Sequence, residues 1–312
     1  MKKIFILLLF PLSLNAQNDY PSLLDTYMQA AATINNFNGN VLVAKSGNII
    51  YQKSFGYKDK DSKYLLKNNS MFEIGLLTNQ FTAAGILLLE ERGKLKLTDT
   101  IRKFFPELPY HNITIKHLLT KTSGLPDYYD VMINIWKDKK MATNNDVIGM
   151  LARMKPPVNF APGQKWAWSP TGYVLLGSII EKVSRMPYND FIEKNILKPL
   201  NLHYTKLIKG IPSLKAHDAA YAEGIYSDYV IATEIDTTQG PPDYTITYGT
   251  SGDAGINSTT GDLFLFDRAL KNNTLLTAAS QKEMFSPRVL VDTASRMFYG
   301  YSVNTGKNEL SN

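Results

Sequence analysis

The 312-residue sequence contains no cysteine and only four histidines. Without cysteine, the chain can have neither a disulfide framework nor a lipid-anchored cysteine behind an export signal. The histidines, His111, His117, His203 and His217, are scattered without metal-ligand spacing, and a glycine-rich phosphate-binding loop is also absent. We therefore predict no metal site and no cofactor, and we interpret His117 as a structural histidine of the core or of a helix end.

The sequence also lacks a clustered basic face and a long apolar run behind its first residues. Its formal net charge is +6, but the charges are interspersed in short mixed runs such as residues 58–61. Nucleic-acid-binding proteins concentrate basic residues on one face, so we predict no nucleic-acid partner. Beyond the N-terminal segment, no stretch approaches membrane-spanning length, and we predict no membrane span in the mature chain.

The first residues have the pattern of an export signal. Lys2 and Lys3 precede an apolar stretch over residues 4–14, and Ala16 then supplies a small residue for cleavage. The apolar stretch is too short to cross a bilayer. We predict a signal peptide over residues 1–16, cleavage near Ala16, export to the periplasm or the medium, and one mature domain over residues 17–312.

The order of the predicted elements indicates an α+β fold. Residues 20–34 have helical spacing, and two β-branched runs, 41–45 and 49–55, flank a turn and predict a hairpin. An apolar helix is expected over residues 76–92. The chain is then mainly helical to residue 202, with another helix at 261–270 and a strand at 299–303. We predict an antiparallel sheet with strands from both termini, packed with helices, plus a mainly helical region.

Several segments resemble those of one known family, both in their residues and in their order along the chain. Residues 72–83 are similar to the segment that carries the Ser-x-x-Lys motif of serine β-lactamases and penicillin-binding proteins. Residues 113–125 resemble a helix and turn of that family, and residues 161–173 resemble the approach to its Tyr-x-Asn motif. Class C β-lactamases, D-Ala-D-Ala carboxypeptidases and esterases of this superfamily are the most similar groups. The resemblance covers about residues 35–303 and implies a β-lactamase/transpeptidase-like fold.

The catalytic positions of that family are replaced in this chain. Leu76 stands at the serine position and Asn79 at the lysine position, while Trp168 and Pro170 stand at the tyrosine and asparagine positions. Leucine has no nucleophile, an amide has no useful basicity, and an indole only donates. We therefore expect none of these residues to be catalytic, and we place Leu76, Asn79 and Trp168 in the lining of a ligand cleft.

The third motif of the family, a cation or histidine before Thr/Ser-Gly on a late strand, has no counterpart. A Thr-Gly pair at residues 305–306 follows the preceding strand too soon to be that motif. The resemblance implies that the C-terminal strands and helix of the family have no counterpart in these residues, and we expect a domain that is incomplete at its C-terminus. A second chain that completes the sheet would reconcile this loss with the intact helices, turns and caps.

Three polar residues near these segments are weaker candidates for chemistry. Ser251 lies in a sequence that nearly forms a nucleophile elbow, but the last glycine is missing and no strand leads cleanly into it. Ser123 lies in a turn and is interpreted as structural. Lys121 stands where relatives often carry histidine, and we interpret it as a solvated or helix-end charge.

Three functions remain compatible with the sequence. The first is a non-catalytic binder of a cell-wall peptide or another small acyl ligand. The second is an active serine hydrolase, an esterase, peptidase or β-lactamase, with an unrecognised nucleophile. The third is a truncated gene product with no selected function. Because loss of single members of a catalytic triad costs about 10⁴- to 10⁶-fold in rate, the sequence favours an inactive site.

Overall fold

The structure, a computed structural model, describes residues 19–57, 65–137, 140–208, 246 and 249–306. The predicted export signal and its cleavage at Ala16 lie outside the described residues. Within the described part of the chain, no helix combines the length and apolar character needed to cross a membrane.

The described chain begins with a helix packed on a hairpin. Helix α1 (Tyr20–Ile34) starts after Asp19, whose side chain accepts the backbone N–H of Ser22. Strands β1 (Gly39–Lys45) and β2 (Asn48–Phe55) pair antiparallel. The two predictions for this region, the helix and the hairpin, are confirmed.

The centre of the fold is the buried helix α2 (Thr78–Glu91), which follows a 3₁₀ turn over Gly75–Leu77. It ends where the N–H of Gly93, at φ +65°, bonds the carbonyl of Glu90 at 2.8 Å. A second buried helix, α6 (Thr171–Ser184), packs against α2. The other helices of the mainly helical region are α3 (Ile115–Leu119), α4 (Tyr128–Met132), α5 (Asn144–Met154) and α7 (Tyr188–Ile192), which continues as a π-helix over Glu193–Leu197.

Short antiparallel sheets complete the fold, together with α8 (Thr260–Lys271) and α9 (Ala278–Phe285). One sheet has the order β3-β5-β4 and a second has the order β6-β7-β8. Their strands are β3 (Phe72–Glu73), β4 (Lys206–Leu207), β5 (Ile256–Ser258), β6 (Val289–Asp292), β7 (Met297–Tyr299) and β8 (Asn304–Thr305). The α+β class is confirmed. Among the described residues, however, strands from the two ends of the chain lie in separate sheets and do not share one.

The strand predicted over residues 299–303 is instead the end of β7 and a tight turn. The N–H of Gly300 bonds the carbonyl of Val303 at 2.8 Å, and Ser302 has φ +62°. A Cβ on Gly300 would lie only 2.4 Å from the carbonyl oxygen of Met284, so the chain turns where only glycine fits. The alternation of apolar residues was therefore misleading at this point.

The contacts along helices α2 and α6 show that the two helices run in the same direction, with a glycine-containing loop between their N-terminal halves. Thr82 of α2 donates a hydrogen bond to the carbonyl of Gly252 at 2.7 Å, and Gly252 approaches Tyr173 and Gly177 of α6. One turn further along α2, a Cβ on Gly85 would lie 3.0 Å from Ile180. The N-terminal ends of both helices therefore lie at the same end of the core.

We expect Gly252→Ala to destabilise the protein by about 2 to 4 kcal/mol. Gly252 has φ +100°, and its Cβ would lie 2.4 Å from the backbone oxygen of Tyr173, which cannot move without disturbing α6. Gly149→Ala is the matched control. Gly149 lies in α5 with open space around it, and alanine there should stabilise the protein by about 0.5 to 1 kcal/mol. Equal changes in urea midpoint for the two variants would contradict this account of the α2–α6 packing.

Candidate functional site

Leu76 lies in the 3₁₀ turn that leads into α2, and Asn79 lies in the first turn of α2. The Leu76 side chain is 55% exposed, whereas Asn79 is only 2% exposed. The amide oxygen of Asn79 is buried and has no hydrogen-bond partner among the residues that the structure describes. A buried acceptor without a donor is unusual, and a ligand or a water molecule would satisfy it. Neither residue can attack a carbonyl or take up a proton.

The start of α6 carries Trp168 and Pro170. Trp168 is 43% exposed, and Pro170 immediately precedes the first residue of α6. Thr171 fixes this end by donating to the carbonyl of Pro126 at 2.6 Å and accepting from the N–H of Tyr128 at 2.8 Å. Because α2 and α6 run in the same direction, all four candidate positions lie at one end of the helix pair. This end presents an indole and a leucine to solvent, with a buried amide beneath the surface.

For Lys121 one of the two sequence interpretations was wrong. It is 3% exposed, so it is not a solvated charge, although it does lie at a helix end, two residues after the last residue of α3. Its carbonyl accepts the N–H of Ala167 at 3.0 Å, which holds the turn after α3 against the segment that leads to α6. The Lys121 Nζ atom lies 3.1 Å from the ring centroid of Trp168, 5.4 Å from that of Tyr173 and 5.6 Å from that of Tyr299.

The surroundings of the Lys121 amine are neutral. Burial lowers the pKa of Lys121 to about 7, while the three rings attract its ammonium form and act in the opposite direction. Burial raises the pKa of Tyr173 well above its ordinary value and that of Tyr299 to about 12, so both phenols stay protonated. No carboxylate pairs with Lys121 in the part of the chain that the structure describes. At neutral pH the amine therefore exchanges between its charged and uncharged forms.

The loop between the two helices holds a buried serine and a buried carboxyl group. The backbone N–H of Ser251 bonds the amide oxygen of Asn144 at 2.8 Å, and the Ser251 hydroxyl donates to the same oxygen at 3.4 Å. The hydroxyl of Tyr128 donates to Asp253 at 2.9 Å, and burial raises the pKa of Asp253 to about 6. An amide cannot activate a serine as a base can, so Ser251 has the contacts of a structural residue.

The other candidate residues also have structural contacts. The hydroxyl of Ser123 accepts the N–H of Leu125 at 3.3 Å inside its turn. His117 and Thr114 form a capping box at the start of α3, with reciprocal bonds of 3.3 Å, in agreement with the helix-end interpretation. His217 lies outside the described residues. Among those that are described, no group of three metal-binding side chains comes together.

Sequence reasoning missed the aromatic surroundings of Lys121. Tyr173 and Tyr299 are far apart in the chain, and neither belongs to a motif. One local signal was available, because Trp166 and Trp168 lie two residues apart in the segment that leads to α6. The ring of Trp166 indeed meets Tyr299 edge-on, with the ring centroids 5.9 Å apart.

Comparisons with known proteins agree with the fold and with the family resemblance. The beta-lactamase family model matches residues 24–306. Penicillin-binding protein 4* of Bacillus subtilis (strain 168) is 39% identical over 283 residues, which cover 89% of this chain and 62% of that protein. The chain thus spans less than two thirds of the length of the curated relatives it matches.

Two solved structures extend the comparison of the fold. A penicillin-binding protein from Bacillus halodurans superposes with a TM-score of 0.74 at 23% identity, covering 90% of this chain and 84% of that one. A D-amino acid amidase from Ochrobactrum anthropi complexed with L-phenylalanine superposes with a TM-score of 0.68 at 23% identity, covering 92% and 80%. At this level of identity, both similarities show the fold alone.

Proposed function

Because this chain belongs to the beta-lactamase family, we propose that it is a non-hydrolysing member that binds a cell-wall peptide or another small acyl ligand. The ligand would lie at the shared N-terminal end of α2 and α6. The name of one relative supports a small acyl ligand, since it is a penicillin-binding protein and penicillin is an acyl compound. A cell-wall ligand lies outside the cytoplasm, so the proposal includes export of the protein.

The observation that carries the proposal is the pair Leu76 and Asn79 at the start of α2. Acyl transfer in this family requires a hydroxyl group and an amine on one face of that helix, and the chain has an isobutyl group and an amide there. Neither group forms an acyl intermediate or takes up its proton. Trp168 and Pro170 remove the second polar motif as well.

Binding is supported by what the same end of the fold exposes. Three large apolar residues at this end, Leu76, Leu77 and Trp168, are between 43% and 55% exposed. Exposed apolar side chains grouped in this way often mark a binding surface. Tryptophan is the side chain most often found as a binding anchor. Asn79 adds a buried acceptor that a ligand N–H could satisfy.

The alternative of an active hydrolase needs another nucleophile. Ser251 is 1% exposed and its hydroxyl is bonded to Asn144, so no substrate carbonyl reaches it without rearrangement of the loop. A gene product without a selected function is the other alternative, and it predicts no specific ligand. A second chain that completes the sheet stays a prediction.

The proposal is tested by calorimetric titration with diacetyl-L-lysyl-D-alanyl-D-alanine. We expect saturable binding that Leu76→Ala and Trp168→Ala each weaken about tenfold, because each removes an apolar anchor worth one to a few kcal/mol. Leu23→Ala is the matched control, since Leu23 is an exposed leucine on α1, and it should leave the affinity unchanged. Absence of binding, or equal affinity in all variants, would contradict the proposed site.

A further inference from the structure

Lys121 lacks what a buried lysine normally has. Lysine is almost never fully buried unless it is paired, because its ammonium group loses hydration. Here the Nζ atom contacts aromatic rings, and none of the described carboxylates is within ion-pair distance of it. The fold therefore keeps an amine donor beneath Trp168 without supplying its acceptor.

A second donor in the same region also lacks an acceptor. The indole Nε1 atom of Trp166 is buried and has no hydrogen-bond partner within the described ranges. The Trp166 ring packs edge-on against Tyr299, and the Lys121 Nζ atom lies 5.6 Å from the centroid of that same Tyr299 ring. The backbone hydrogen bond from the N–H of Ala167 to the carbonyl of Lys121 joins the two segments that carry these donors.

The neighbouring described polar groups supply no anionic acceptor to these two donors. The hydroxyl of Tyr173 donates to the carbonyl of Leu119 at 2.9 Å, and burial keeps this phenol neutral. Tyr299 is engaged with Tyr173 and Ser302. A cation and an N–H group without an anionic acceptor form a donor set suited to a carboxylate.

We propose that the Lys121 amine and the Trp166 indole N–H form a subsite for the carboxylate group of the ligand, with Trp168 as its cover. The inference rests on the proposed function, and the group we assign to the subsite is the C-terminal carboxylate of the bound peptide. Trp168 is half exposed, so its ring can rotate outward and admit the carboxylate to the amine. When the Trp168 ring moves out, its cation–π contact with the Lys121 ammonium is lost. The ion pair between the ammonium and the carboxylate takes its place and is the stronger interaction.

Carboxylate binding should be coupled to proton uptake. Without a carboxylate beside it, the Lys121 amine is partly uncharged at neutral pH, and binding of a carboxylate favours the ammonium form. Among the described titratable groups, Tyr173 on α6 and Tyr299 on β7 have ring centroids 5.4 Å and 5.6 Å from this amine. The elements around it also carry Lys116 and His117 on α3, Glu181 and Lys182 on α6, and the exposed Lys165 beside Trp166. The two phenols do not titrate near pH 7, and burial lowers the pKa of His117, so Lys121 is the group that gains the proton between pH 7 and 8.

The test compares the acid and the C-terminal amide of diacetyl-L-lysyl-D-alanyl-D-alanine by calorimetry. We expect the amide to bind about tenfold or more weakly, as is typical for loss of a hydrogen-bonded charge. Lys121→Met and Trp166→Phe should each weaken binding of the acid to a similar extent and leave the amide unaffected. Repeating the titration in buffers with different heats of ionisation should show proton uptake in the wild type and none in Lys121→Met. Lys165→Met serves as the control and should behave as wild type.

The outcomes separate this inference from the proposed function. Equal affinity for acid and amide overturns the subsite while the binding function stands. If neither peptide binds, the proposed function fails, and acetate alone then tests the subsite by NMR of ¹³C-labelled lysine. A rise of the Lys121 pKa with acetate, absent in Trp166→Phe, supports the subsite. An unchanged Lys121 titration overturns it.

Discussion

The double variant Leu76→Ser/Asn79→Lys is expected to hydrolyse a p-nitrophenyl ester at least about 10³-fold more slowly than a family member with intact motifs. The two changes return a nucleophile and an amine to the start of α2. Trp168 still stands at the tyrosine position, however, and an indole cannot accept the serine proton. The introduced lysine would replace a side chain that is only 2% exposed, so its desolvation should also destabilise the protein.

Further repair should restore activity in steps. Adding Trp168→Tyr and Pro170→Asn to the double variant should raise the rate by about 10²-fold or more, since proton relay contributes on that scale. Leu77→Ser/Asn79→Lys is the matched control, because Leu77 is a half-exposed neighbour of Leu76 that is not at the serine position. It should stay inactive. Hydrolysis and fluorescent-penicillin labelling at family-typical rates by the double variant alone would show that the rest of the site is intact.

Lys121→Met should stabilise the protein, and more so at low pH. Burial lowers the pKa of Lys121 from near 10.5 to about 7 in the folded state, so between these values the unfolded chain binds more protons. Stability therefore rises as the pH increases from 7 towards 10.5, and the penalty of the buried ammonium is fully present below pH 7. Each pKa unit corresponds to about 1.4 kcal/mol, and the attraction of the rings reduces the total. We expect a gain of about 2 to 4 kcal/mol at pH 6.

Urea unfolding at pH 6 and at pH 10 checks this prediction. The gain from Lys121→Met should shrink to less than about 1 kcal/mol at pH 10, where the wild-type amine is uncharged in the fold. Lys165→Met removes an exposed lysine from the neighbouring segment and should change stability by no more than about 0.5 kcal/mol at either pH. A gain that is independent of pH would mean that Lys121 carries no desolvation penalty.

Local patterns in the sequence predicted most of the fold. The spacing of apolar residues gave α1 and the long buried helix, and the turn residues gave the first hairpin. The strand expected at residues 299–303 was wrong because Gly300 packs against the backbone of Met284, which is a tertiary contact. The arrangement of strands into separate sheets likewise depends on contacts that periodicity does not encode.

The candidate site was predictable only where it has a motif. Leu76, Asn79, Trp168 and Pro170 were found because residues around them resemble a family pattern. The burial of Lys121 was not predictable, because it is produced by rings from two distant parts of the chain, the start of α6 and strand β7. A lysine between threonines in a turn is most often solvated, and only the packing of Trp168 and Tyr299 over it changes its pKa.

The central claim, binding without hydrolysis, is tested most directly by one NMR sample of the wild-type protein with excess diacetyl-L-lysyl-D-alanyl-D-alanine. Saturation transfer reports binding, and the signal of free D-alanine reports cleavage in the same tube. We predict saturation transfer to the D-alanine methyl groups and no free D-alanine above the protein-free control after a day. Release of D-alanine that disappears in Ser251→Ala, or an absence of saturation transfer, would contradict the account.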